Sequence, residues 1–214
     1  MKTICMILKA PRPGLVKTRL ARDLGHERAA AIYRALVERQ VMAIPSSWRV
    51  GVYFTPTDAA EEMQAWLRSS LPKAAQFVPQ CDGDLGQRLI SAVSAELQRG
   101  ASHLFLIGGD CPGISFDYLA HADEQLNECD LVIGPATDGG YVLLGLKSQC
   151  TALFENIAWS TQAVLDQTVT AARRQSLSVR LLPTLEDIDD AASLARQSRL
   201  LHFPLADVEK KSAK

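Results

Sequence analysis

The run TICMILKAPRPGLVKTRLA, Thr3 to Ala21, decides how the chain is to be read. Thr3–Leu8 is short and apolar, as a buried strand is. Pro11, Pro13 and Gly14 then interrupt it, because a residue before proline is pushed out of helical backbone and glycine favours turns. A helix is expected to begin near Val16. The opening is therefore a strand, a loop and a helix, with Lys9, Arg12, Lys17 and Arg19 set around the loop.

The same alternation continues along the chain. Further strands are expected at Val50–Thr55, Gln76–Val78, Leu104–Gly108, Leu131–Gly134, Tyr141–Leu146 and Ser178–Leu182. Helical spacing of apolar residues falls between them, at Glu27–Met42, Ala59–Ser69, Leu85–Arg99, Phe116–Leu126 and Thr161–Arg174. Strand and helix in alternation predict a Rossmann-like, three-layer α/β/α fold with a mostly parallel sheet. The close pair Leu131–Gly134 and Tyr141–Leu146 breaks the rule and predicts an antiparallel element, so the sheet is mixed. No linker or repeat divides the sequence. Residues 1–205 are read as one domain and Ala206–Lys214 as a flexible tail.

Composition narrows the function. The 214 residues are 47% hydrophobic and 22% charged, with a formal net charge of −1. A near-neutral chain lacks the basic footprint of a nucleic-acid binder, so the cluster around Lys17 points to a small anionic ligand. Five cysteines without a CxxC pair read as reduced thiols of a cytoplasmic protein. Four histidines are scattered without metal-site spacing, and His103 reads as structural. MKTICMIL is too short in its apolar part for a signal peptide, and no stretch approaches the roughly 18 apolar residues of a membrane span.

Ligands on such sheets bind beyond the carboxyl ends of the strands, so the loops that follow strands matter most. Lys17 and Arg19 beside the first loop suit a di- or triphosphate, although GxxxxGK[ST] spacing is absent; a solvated basic loop is the plain alternative. In IGGDCPGI an apolar strand runs directly into Asp110, which can hold Mg²⁺ if phosphates lie nearby. Asp110 could also cap the following helix, but Ser115 is better placed to do so. In GPATDGGYVLLGL, Asp138-Gly139-Gly140 signals a hairpin and can also approach a ligand closely, with Asp138 a candidate for a sugar hydroxyl or a general base. In LPTLEDIDDAASLARQ, Asp187 and Asp189 are expected to divide, facing opposite sides of an extended segment. If Asp189 caps a helix over Asp190–Gln197, one carboxylate is structural and the other is free. Trp159-Ser160-Thr161 reads as a cap for the next helix. No GxSxG elbow or paired histidine supports Ser/His/Asp hydrolysis, and Cys111 reads as structural.

Taken in order, KxPxxGxxKTRLA, GDLGxR, GGDCP, GPxxDGGYxLLGL, W-S-T and DID resemble the bacterial glycosyltransferase A family. That family lies in the nucleotide-diphospho-sugar transferase superfamily with the GT-A fold, and some members are named arsenosugar biosynthesis glycosyltransferases. The resemblance runs from about Ile4 to Leu194. The Lys-Thr-Arg-Leu run and the aspartates are also similar to those of phospholactate guanylyltransferase and, more distantly, molybdenum-cofactor guanylyltransferase. The resemblance implies that Lys9, Lys17 and Arg19 meet nucleotide phosphates, with Pro11, Gly14, Gly83, Asp84, Gly86 and Arg88 completing the nucleotide-binding set. It implies Asp110 as the main ligand of Mg²⁺ or Mn²⁺, with Asp187 or Asp189 completing the site. Asp138, Lys17 and Arg19 are then the catalytic candidates, and Gly139, Gly140, Tyr141 and Trp159 line the acceptor or sugar pocket. Val142 stands where many relatives carry a second aromatic, which is expected to alter the pocket wall.

The expected reaction is transfer of a glycosyl group from a nucleotide sugar to a small acceptor. Nucleotidyl transfer from a nucleoside triphosphate needs the same cations and metal, and a non-catalytic nucleotide-binding regulator is the third reading. Trp48 and Trp66 are read as core or as part of a homodimer interface.

Overall fold

A computed structural model describes the backbone of residues 1–201 and the side chains of residues 1–198. The expected tail and the last residues of the expected domain lie outside the described residues. The chain forms β1 (Lys2–Lys9), α1 (Thr18–Leu24), α2 (His26–Ala43), β2 (Arg49–Thr55), α3 (Ala60–Leu67), β3 (Gln76–Pro79) and α4 (Leu85–Gln98). It continues as β4 (His103–Ile107), α5 (Phe116–Glu128), β5 (Leu131–Pro135), β6 (Tyr141–Leu146), α6 (Val164–Arg174), β7 (Val179–Leu181) and α7 (Ala191–Leu201). Each expected strand is present with ends within one residue. The first helix begins at Thr18 instead of near Val16, because Lys17 takes left-handed backbone (φ 47°, ψ 47°) and interrupts it.

The strands form one sheet in the order β3-β2-β1-β4-β6-β5-β7. β6 runs antiparallel to both β4 and β5, and the other pairings are parallel. The fold is therefore α/β, with a mixed and mostly parallel sheet. The period-2 pattern of the strands explains the two faces. Ile4, Met6 and Leu8 of β1 with Phe105 and Ile107 of β4 bury against α2, α3 and α5. Cys5, Leu104 and Leu106 bury on the other side against α4 and α6. A third cluster, from Leu20, Ala29, Leu36, Ile188 and Leu194, fastens α1 and α7 to the outside of α2. Trp48 belongs to the core, stacked on Phe105 at 4.8 Å between ring centroids.

Two polar knots tie the amino edge of the sheet. Glu96 is buried and accepts hydrogen bonds from Tyr53 Oη and an Arg99 nitrogen, both at 2.9 Å. Asp123 pairs with Lys2 and with His103 Nδ1, the latter at 2.8 Å, so His103 is structural as expected. The opposite edge carries a second set of charges, and there burial and pairing are incomplete. Among the described residues, no helix is long and apolar enough to cross a membrane.

Candidate active site

Parallel pairing brings the carboxyl ends of β1, β4, β5 and β7 to one edge, and antiparallel β6 begins there. Asp110 stands three residues beyond β4, after Gly108 and Gly109. A Cβ on Gly109 would lie 2.8 Å from Leu8 and Val37 atoms and 3.0 Å from Tyr33 Oη, so only glycine lets the loop pass this close to α2. Tyr33 in turn accepts the Lys9 amide at 3.0 Å. Ser115 caps α5 by accepting the Tyr118 amide, which leaves Asp110 free of that duty.

The segment after β7 reaches the same place by backbone pairing. Leu182 and Leu185 amides donate to the carbonyls of Ile133 and Pro135, Thr137 N–H to Leu185, and Ile188 N–H to the carbonyl of Asp110 itself at 3.0 Å. Glu186 fastens the segment to α7 through Arg196 and Gln197. Residues two apart in extended backbone share a face, so the expected division of Asp187 and Asp189 does not occur. Ile188 between them is buried in the α1/α2/α7 cluster, and both carboxylates turn to the Asp110 side. Nor does Asp189 cap the last helix. Asp190 does, accepting the Ser193 amide at 2.8 Å while Ser193 Oγ accepts from Asp190 N–H.

Lys17 joins these loops. Its ammonium lies 3.0 Å from Asp110 Oδ2 and 3.0 Å from Asp189 Oδ1, and its side chain is 5% exposed. Burial alone would lower its pKa, but Asp110 and Asp189 outweigh that and hold it above the usual value of 10.5. Arg19 approaches Asp189 Oδ2 at 3.5 Å. Asp187 is the odd group: one oxygen is buried without a partner. Burial first, then Asp110, with smaller contributions from Asp138 and Asp189 against Lys17, push its carboxyl up to about 8.

The structure thus gathers Lys17, Arg19, Asp110, Asp138, Asp187 and Asp189. A buried carboxylate oxygen without a partner and two carboxylates already holding a cation are a donor set suited to Mg²⁺ or Mn²⁺. Among the described residues, no three such side chains stand at metal-binding spacing, and the Lys17 ammonium lies between Asp110 and Asp189.

The remaining expected residues fall around this centre. Lys9 ends β1 and is exposed, and Pro11 lies two residues on in the loop, buried. Gly14 takes φ 84° in the turn that follows. Arg12 is engaged elsewhere, with Glu62 at 2.8 Å and Asp58 at 3.2 Å, so it is not among the cations of the centre. Asp84 caps α4 in a reciprocal pair with Gln87, and Gly83 takes φ 115° beside it. A Cβ on Gly86 would meet the Phe154 carbonyl at 2.3 Å and Trp159 Nε1 at 3.0 Å, which gives that glycine a packing role. Arg88 Nε is buried without a partner. Asp138 is exposed, with Oδ1 accepting the Gly140 amide at 2.9 Å. Gly139 (φ 90°) presses on Gln162 and its carbonyl accepts the Leu165 amide. The Gly139 carbonyl thus meets the start of α6, whereas Trp159-Ser160-Thr161 provides no side-chain cap to it, contrary to expectation. Tyr141 and Trp159 meet edge to face at 6.4 Å, with the Tyr141 hydroxyl turned into the interior. Val142 is buried in the core under the sheet and forms no part of a pocket wall, another correction.

Sequence reasoning missed Gln40. It lies fully buried on the apolar face of α2, where its Nε2 donates to the Cys111 carbonyl at 2.9 Å while its Oε1 has no partner. Its neighbour Arg39 donates to the Pro112 carbonyl at 3.1 Å. The only signal was a glutamine in an apolar stripe. Gln40→Met keeps the volume, frees one carbonyl and removes one unpartnered oxygen, each worth about 1–3 kcal/mol, so little change in Tm is expected. Any Mn²⁺-dependent nucleotide affinity is expected to fall roughly tenfold if Gln40 orients the Asp110 loop as supporting partners orient metal ligands. A lower Tm with unchanged affinity, from melts and titrations in Mn²⁺, would make Gln40 a packing residue only.

A mixed, mostly parallel sheet covered on both faces, with cations and carboxylates meeting beyond its carboxyl edge, is the architecture that this chain shares with a nucleotide-diphospho-sugar transferase fold. The chain belongs to the DUF2064 family, described as uncharacterized proteins conserved in bacteria, whose family model matches residues 38–161. A structure from Desulfovibrio desulfuricans G20, provisionally named a nucleotide-diphospho-sugar transferase, is 30% identical; the match covers 94% of this chain and 97% of that one, with a TM-score of 0.80. The 4-diphosphocytidyl-2C-methyl-D-erythritol synthase of Anaerococcus prevotii DSM 20548 is 12% identical (94% and 97% covered, TM-score 0.59). A cytidylyltransferase of Leptospira borgpetersenii is 11% identical (97% and 92% covered, TM-score 0.56). These two share the fold alone. No curated protein matches the chain.

Proposed function

We propose that this protein is a metal-assisted transferase that moves a glycosyl group from a nucleotide sugar to a small acceptor. One observation carries the reading: Lys17 and Arg19 meet Asp110 and Asp189 at the carboxyl edge of the sheet. Asp110, Asp187 and Asp189 are the residues to hold Mg²⁺ or Mn²⁺, which when bound neutralises charge on a departing nucleoside diphosphate. Arg19, largely exposed, and Lys9 are free to meet phosphate oxygens, Arg19 in bidentate fashion. Asp138, exposed on its turn beside the acidic centre, is the candidate base for an acceptor hydroxyl. Tyr141 and Trp159 offer ring surface, not the tyrosine hydroxyl, to a sugar. The name of the 30% identical structure supports nucleotide-sugar chemistry. Free cysteines suit a cytoplasmic location, where nucleotide substrates are made.

Nucleotidyl transfer is the second reading. The cytidylyltransferases share this fold, and Lys17 with Arg19 could equally stabilise charge on an attacked α-phosphorus. The two separate in one experiment. Nucleotide sugars and nucleoside triphosphates are screened by thermal shift with Mn²⁺, and each stabilising compound is then incubated with candidate acceptors. A ligand that binds only the folded protein raises Tm by mass action. Stabilisation by a nucleotide sugar and release of a nucleoside diphosphate support glycosyl transfer. Pyrophosphate release from a triphosphate replaces it with nucleotidyl transfer, and no shift from any nucleotide overturns both.

A further inference from the structure

Lys17 holds a position that a phosphate-binding lysine does not need. Its side chain is almost wholly buried, its two hydrogen bonds go to Asp110 and Asp189 at 3.0 Å each, and its backbone lies in the left-handed region at φ 47°, ψ 47°. Left-handed backbone is unfavourable for a residue with a Cβ, so the surrounding structure must enforce it. The left-handed residue ends the loop and aims the side chain inward at the two carboxylates, while Arg19, two residues on, remains 70% exposed. The chain therefore carries its own cation where a divalent one is expected.

We propose that Lys17 makes tight cation binding conditional: the Asp110–Asp189 pair holds a divalent metal tightly only together with a polyphosphate that takes over the Lys17 ammonium. This rests on the metal-assisted reading above and goes beyond it by fixing the order of binding. A free metal ion arriving alone must break both Lys17 contacts and leave an ammonium buried without a counter-charge, which is strongly unfavourable. A diphosphate arriving with the metal supplies new acceptors for the same ammonium, so the two ligands strengthen each other reciprocally. Neither can be held well in the other's absence. Asp187 fits the scheme, since Lys17 makes no hydrogen bond to it and its buried oxygen has no partner to give up to an incoming ion.

The test is Mn²⁺ binding, read from the free-ion electron paramagnetic resonance signal, with no turnover required. Wild type, Lys17→Met and Lys17→Arg are titrated with Mn²⁺ alone and then with inorganic pyrophosphate or each of ADP, CDP, GDP and UDP. Circular dichroism confirms that each variant is folded. Wild type is expected to bind Mn²⁺ weakly by itself and at least about tenfold more tightly with one of the diphosphates, within the roughly 5–150-fold range of coupled sites. Lys17→Met is expected to bind Mn²⁺ alone about tenfold more tightly than wild type and to lose most of that coupling. Lys17→Arg keeps the cation and should keep Mn²⁺ weak, which guards against misreading a damaged fold in Lys17→Met. Equal Mn²⁺ affinity of wild type and Lys17→Met without diphosphate overturns the exchange while leaving the metal site standing. Mn²⁺ bound by none of the three proteins, with or without diphosphate, overturns the metal reading and the exchange together.

Discussion

Asp110→Asn is expected to lower kcat/KM by roughly a thousandfold, about 4 kcal/mol at 1.36 kcal/mol per tenfold, and to remove the metal-dependent part of nucleotide affinity. The reason is position. Asp110 shares Lys17 with Asp189, its backbone carbonyl holds Ile188, and its charge raises Asp187, so all three carboxylates are linked through it. An amide keeps the size and one oxygen but loses the charge that a divalent cation requires. The fold should survive. The Asp110 side chain is 38% exposed, and the buried Lys17 retains Asp189 as a partner, so the cost in stability should stay below the roughly 3–5 kcal/mol of leaving a buried charge wholly unpaired. Thermal melts and nucleotide titrations with and without Mn²⁺ check both halves. A variant that binds nucleotide in the same Mn²⁺-dependent way as wild type would remove Asp110 from the metal set.

Asp187→Asn should separate stability from function in the opposite sense. In the metal-free protein a carboxylate is buried among like charges, and its folded pKa of about 8 stands far above the usual 3.8. A raised folded value means that the folded protein holds an extra proton between those limits, so the group loses stability as pH rises through that window. Above pH 8 the full penalty remains. The asparagine carries none of it, and on the order of 2 kcal/mol of stabilisation at pH 8.5 is expected, a rise in Tm of about 4–8 °C at the roughly 2–4 °C per kcal/mol of chains this size. The gain should shrink as pH falls towards 4. Metal-dependent activity should meanwhile fall at least a hundredfold, because the stabilised residue no longer offers charge to the ion. Equal melting temperatures across the pH range would show that Asp187 is solvated and ionised as an ordinary carboxylate.

Much of this arrangement was legible in the sequence. The strands were, because each is a short apolar run bounded by polar or turn residues, and the layer order follows from their alternation with helices. Asp110 was legible for the same reason: an apolar strand that runs into a carboxylate delivers it to the ligand edge. That Asp187 and Asp189 share a face was legible as well, since residues two apart in extended backbone do, but where the segment carries them was not. Its direction depends on backbone bonds to Ile133, Pro135 and Asp110, residues far away in sequence that leave no local pattern. The identity of the last helix cap was hidden because Asp189 and Asp190 are chemically alike at adjacent positions, and only the Ser193 geometry separates them. Arg12 was likewise indistinguishable from Lys17 within one basic loop. Their fates diverge through α3, which offers Glu62 to Arg12, and through the inward turn at Lys17. Val142 shows the limit of reading a pocket from a motif, since the strand period places it on the core side of β6.

The most direct measurement is a crystal structure with Mn²⁺ and the nucleoside diphosphate that stabilises the protein most, recorded with anomalous scattering at the manganese edge. The account predicts a manganese peak bound by Asp110 with Asp187 or Asp189, diphosphate oxygens on the same ion, and the Lys17 ammonium moved from the carboxylates onto the phosphates. A manganese peak away from these aspartates, or a diphosphate bound with the Lys17 pairs to Asp110 and Asp189 unbroken, would contradict it.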